Sequence, residues 1–140
     1  MSEDLEVELI LSAETDNHPQ NFKELIDHYK EKVAELDAIS ETYKHCSNEL
    51  LVLLTIHGQQ TKVLEDGTKL AKGFFKKADV SVPSPKEQVD SIPLDTVGGM
   101  VNMFIEDLDE TIPDKRLREK NLSAAKRVQK AITGFLDENV

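Results

Sequence analysis

The side chains best suited to chemistry in this chain are one cysteine, Cys46, four histidines and a surplus of carboxylates, and their spacing decides what they could do. Glu41, His45 and Glu49 stand four apart, so on a helix they share one face and could in principle hold a metal ion. The Glu-x-x-His spacing by which di-iron bundles ligate metal is missing, and the row reads instead as ion-pairing side chains facing water. His57 occupies a core-type position. A ligand histidine needs partners three or four residues on, where Gln60 and Thr61 stand, so His57 reads as a hydrogen-bonded interface histidine. Cys46 reads as a small buried apolar side chain, since a reactive thiol needs cationic neighbours and Glu49 is not one. A lone cysteine also forms no internal disulfide and no Cys-rich zinc site.

Other chemical signatures fail on their spacing. Gly58, Gly67 and Gly73 stand in neither the GxxxxGK[ST] nor the GxGxxG order, so no loop is expected to cradle phosphate. Asp107, Asp109 and Thr111 imitate the start of a calcium loop. The central glycine is absent, however, Pro113 interrupts the ligand turn, and Arg118 stands where the bidentate glutamate belongs. No sharp strand-to-helix elbow frames a serine nucleophile. The expectation is a protein with no catalytic residue, no cofactor and no metal, working through its surfaces.

Charge is distributed in blocks within a net of -10. Residues 1–20 carry six acids and no base, and residues 87–113 carry seven acids and no base. Against these stands one basic segment, Lys115, Arg116, Arg118, Lys120, Lys126, Arg127 and Lys130, with only Asp114 and Glu119 opposing it. Overall acidity argues against broad binding to polyanions. The basic segment is expected to pair with acidic stretches of its own chain or of a second copy. The alternative is that its seven bases meet a phosphate backbone.

The elements that would position these groups are helices. Asn21 can cap a helix with Glu24 three residues on, and a heptad then runs through Phe22, Tyr29, Leu36, Tyr43, Leu50, His57, Leu64 and Ala71. The spacing predicts one continuous helical arm over residues 21–78, about 85 Å long, far longer than a globule of this size is wide. Gly58 and Gly67 would each cost about 1 kcal/mol within it. Residues 79–94 hold Pro83, Pro85 and Pro93 and read as a linker. Residues 95–140 read as two return helices, the first capped by Asp95 and the second starting near Thr111 and Pro113. Residues 1–20 form an acidic N-terminal segment in which Leu5, Val7, Leu9 and Leu11 alternate, read here as helix in preference to a strand without a partner.

The fold class expected is all-α, an elongated helical bundle with one long coiled-coil-like helix and two shorter return helices. The return is too short to cover the arm, so the chain is expected to form a homo-oligomer or to bind another protein, acting as an adaptor, assembly factor or structural subunit. Phe22, Tyr29, Leu36, Tyr43, Leu50, His57 and Leu64 are the expected interface residues. A nucleic-acid-associated assembly protein using the basic C-terminal helix is the alternative. Membrane contact through Lys69, Lys72, Phe74, Phe75, Lys76 and Lys77 is disfavoured, because lysines at a helix C-terminus already suit the helix dipole. The longest near-apolar run, Leu50 to Ile56, is far short of the about 20 residues a bilayer helix needs. The acidic N-terminus lacks the basic start of a secretory or transit signal, so a cytoplasmic address is expected, with the nucleus as the alternative.

Overall fold

The computed structural model describes residues 18–36, 40–78 and 83–138, and within α2 the side chains of 40, 42, 43 and 72–78 are left undescribed. The segment expected to be helical at 3–13 lies outside these residues, as do residues 37–39 and 79–82. Six helices follow in order: α1 Phe22–Glu35, α2 Ser40–Ala78, α3 Pro85–Asp90, α4 Leu94–Glu106, α5 Leu108–Thr111 and α6 Lys115–Glu138. The fold is all-α. Among the described residues there is no strand, only one isolated bridge between Asn21 and Pro93.

The start of α1 forms as its residues dictate. The Asn21 side chain accepts from the Glu24 amide at 2.9 Å, and the Glu24 carboxylate reaches back to the Gln20 amide at 3.0 Å, so two amides without helical partners are satisfied. The expected unbroken helix over 21–78 does not form. α1 ends at Glu35, where the Leu36 amide closes the last turn onto Lys32, and the chain re-enters helix at Ser40. Phe22 then lies edge-on to His57, with ring centroids 5.3 Å apart, which a straight helix would separate by about 50 Å. α1 therefore runs antiparallel to the first half of α2. A heptad counts residues and is blind to direction, so a short turn that keeps the count passes unnoticed. The hairpin wins because it buries Phe22, Leu25, Ile26 and Tyr29 against Val52, Leu53 and Ile56, at about 1.5–3 kcal/mol for each fully buried side chain.

The linker over 79–94 needs a second correction. Ser84 caps α3 by accepting from the Glu87 amide at 3.2 Å, and Pro85 occupies the first turn, where its missing N–H costs nothing. Val89 of this short helix is fully buried. The return, expected as two helices from Asp95, comprises α4, the single turn α5 and α6, and α4 begins at Leu94 with Pro93 in the cap position. α4 and α6 pack antiparallel, joined by a hydrogen bond from the Gln129 amide to Asn102 and by Gly98, where an added Cβ would stand 3.4 Å from Ile132 Cγ2. Two backbone hydrogen bonds, Phe22 to Ile92 at 3.0 Å and Leu94 to Gln20 at 3.1 Å, strap the start of α4 to the start of α1.

At that same end, His57 Nε2 meets Asp90 at 2.7 Å and His18 Nε2 meets Glu138 at 2.9 Å. α2 passes through Gly58 and Gly67 without interruption. Among its described side chains the fully covered ones stop at Ile56 and the last one packed against the core is Leu64, so the described stretch from there to Ala71, about 10 Å of helix, extends beyond the core.

Candidate interaction surfaces

The residues expected at an interface divide sharply. Phe22, Tyr29 and Leu36 are buried by the chain's own helices, so what they contact is intramolecular. Leu50 and Leu64 are half-buried against the core, His57 is held by Asp90 and Phe22, and the Tyr43 side chain lies outside the described residues. The face that α2 turns to the core is set by Cys46, Glu49, Val52, Leu53 and Ile56, rotated from the heptad through Leu50 and His57. The run Leu50 to Leu54 is apolar on every side, and a single core covers only part of it. Leu51 and Leu54 remain 55% and 41% exposed.

Glu49 corrects the reading of a solvated row. Glu41 is exposed and pairs with Lys44 at 3.7 Å, and His45 Nδ1 lies 2.6 Å from Arg127 of α6, while Glu49 is wholly buried. Lys32 of α1 is also buried, its ammonium 3.2 Å from Glu35. Glu49, Lys32 and Arg127 therefore converge on Cys46 between three helices, with Tyr29 beside Glu49 and Cys46, and the charges of all three reach the thiol. Burial, reinforced by the Glu49 charge, pushes the Cys46 thiol up to about 12 against the smaller opposing pull of Arg127 and Lys32. Cations do stand near Cys46, contrary to the sequence reading, but burial wins and the thiol stays protonated and inert. Burial first, then the Glu49 charge, also raises the Tyr29 hydroxyl well above its ordinary value. Among the described residues no three His, Cys, Asp or Glu side chains are placed to hold a metal ion.

The seven bases of the C-terminal segment do not act as one array. Asp114 caps α6 by accepting from the Leu117 amide at 2.9 Å. Arg118 turns back to Asp109 at 3.2 Å and Arg127 to His45, whereas Lys115, Arg116, Lys120, Lys126 and Lys130 are exposed. Lys120 borders a shallow depression of about 280 Å³ with Lys44, Ser47 and Asn48.

The heptad through Leu50 and His57 misses the most exposed apolar surface among the described residues. Ile56 is buried by the bundle, and the same face of α2 continues at heptad intervals as Val63, 65% exposed, and Leu70, 85% exposed. The signal was present in the sequence as a second heptad running one position behind His57, Leu64 and Ala71. No helix among the described residues is long and apolar enough to cross a membrane. No protein-family model, no curated protein and no solved structure matches the chain.

Proposed function

We propose that this chain is a non-enzymatic helical protein-protein interaction module, an oligomeric adaptor, assembly factor or structural subunit of coiled-coil-like character, whose docking element is the distal half of α2. One observation carries the reading: the face that the bundle covers at Ile56 runs on as bare Val63 and Leu70. Apolar side chains displayed at heptad intervals along a projecting helix suit knobs-into-holes packing with another helix. The test is sedimentation equilibrium of the whole chain over a wide concentration range. The expected result is a mean mass that rises above the 15.7 kDa of one chain and returns to it in the Val63→Asp, Leu70→Asp variant. A wild-type mass of one chain at every concentration would remove self-association.

A nucleic-acid-associated role is the second reading, favoured by the five exposed bases on α6. It predicts RNA or DNA binding that weakens steeply with salt and falls when Lys115, Arg116 and Lys120 are changed to glutamine. Binding equal in the variant and the wild type would dismiss it.

A further inference from the structure

We infer that the bare Val63–Leu70 face of α2 is a docking site for the chain's own acidic N-terminal stretch, residues 3–16. The inference rests on the reading of this face as a docking surface and adds its first occupant. Three independent observations converge on it.

The first is direction. α1 runs antiparallel to α2 with Phe22 level with His57, so the chain that leads into α1 arrives from the side on which α2 continues past the bundle. His18 is held there, at Glu138 and edge-tilted on Phe135 with ring centroids 5.5 Å apart. The second is reach. Leu70 lies thirteen residues beyond His57, about 20 Å along the helix axis, whereas fourteen residues of chain can span up to about 46 Å.

The third is chemical complementarity. Residues 3–16 combine Leu5, Val7, Leu9, Ile10 and Leu11 with six acids and no base. From Gly67 to Ala78 the sequence of α2 holds Lys69, Lys72, Lys76 and Lys77 and no acid. In the antiparallel direction the acids nearest the N-terminus, Glu3, Asp4, Glu6 and Glu8, fall toward these lysines, and the aliphatic residues fall toward Leu70 and Val63. Glu65 and Asp66 oppose this match locally, and Lys62 and Lys69 flank them. Covalent attachment supplies an effective concentration on the order of millimolar, so even a weak contact is occupied. The segment then competes with any partner helix for the same face.

Amide hydrogen exchange, read by mass spectrometry on fragments covering residues 3–16 of the intact chain, tests this. Val63 and Leu70 are exposed, so the Val63→Ser, Leu70→Ser variant keeps the bundle, and circular dichroism checks that it does. The expected result is exchange about tenfold slower in the wild type than in the variant, a protection unchanged between about 1 and 50 µM protein and weaker in high salt. Equal exchange in both proteins overturns the proposal. Protection that grows with protein concentration also overturns it, because the occupant would then be a second copy. Loss of self-association in the Asp variant with no change in exchange would leave the docking surface standing and refute only its cis occupant.

Discussion

Replacing Glu49 by alanine should destabilise this fold more than replacing its neighbour Leu50 by alanine, an order opposite to what hydrophobicity suggests. Glu49 is wholly buried between α1, α2 and α6, with the charges of Lys32 and Arg127 in the same cluster, whereas Leu50 sits half-exposed at the rim. Removing the carboxylate leaves the buried Lys32 ammonium with the more exposed Glu35 and takes the buried acid out of the cluster, a loss approaching the roughly 3–5 kcal/mol of deleting one member of a buried charge cluster. Truncating a fully buried leucine costs about 2–5 kcal/mol, and a half-buried one falls at or below the lower end. With a urea dependence of about 2 kcal/mol per molar, Glu49→Ala should lower the midpoint by about 1.5–2.5 M and Leu50→Ala by about 1 M or less. Far-UV circular dichroism in urea reads both, since the chain has no tryptophan. The double variant Glu49→Leu, Lys32→Met supplies the internal control, because replacing both members by apolar residues of similar volume should restore much of the loss. A midpoint for Glu49→Ala equal to or above that of Leu50→Ala would refute the reasoning, and so would a double variant no more stable than Glu49→Ala.

Gly58 and Gly67 lie in helix with nothing within 4 Å of an added Cβ, so Gly58→Ala and Gly67→Ala should each raise stability by about 0.5–1 kcal/mol, visible as higher melting temperatures. Gly98→Ala, facing Ile132 Cγ2 at 3.4 Å, should gain less than either, and an equal gain would show that the α4–α6 contact has slack. Cys46 should resist iodoacetamide in the native chain and react rapidly in denaturant; brisk native labelling would contradict its burial. Its thiol ionises near 9 when exposed and near 12 when folded, so stability is full below pH 9 and declines as pH rises from 9 toward 12, with Tyr29 adding a loss of the same sign above 10. Urea midpoints at pH 8 and pH 11 measure this, and a midpoint that holds steady in the wild type would contradict it. Ser84→Ala should cost about 1 kcal/mol through the lost cap of α3, and less than a few tenths would mean that Val89 alone holds that helix in place.

Helix type was legible in the sequence, and direction was not. Asn21 and Glu24 announced the start of α1, and the apolar spacing of Val97, Val101, Phe104 and of Val128, Ile132, Phe135 marked the inward faces of α4 and α6. The sequence between Leu36 and Ser40 contains neither glycine nor proline, and the heptad count survives it, so nothing local distinguished a hairpin from a rod. α3 was hidden by its prolines, although Ser84, Pro85 and Glu87 together form a helix start that reads plainly once proline is allowed in the first turn. Glu49 could not be read as buried, because the charged cluster it joins around Cys46 draws in Lys32 and Arg127, residues distant in sequence that only the fold brings near.

The strap that joins Gln20 and Phe22 to Ile92 and Leu94 closes a long loop in the chain, and the distal half of α2 is contained within it. Loop-closure entropy grows only logarithmically, by about 0.6 kcal/mol for each doubling of length. The bundle is therefore nearly indifferent to how much polypeptide passes out and back between its two clamped points. A heptad inserted into α2 beyond Leu64, matched by added residues after Ala78, would move the tip outward by about 10 Å while leaving the strap and the His57–Asp90 clamp in register. The molecule in this respect resembles a telescoping mount, with a fixed base and an adjustable boom whose span can be retuned by insertion or deletion without renegotiating the foundation that holds it.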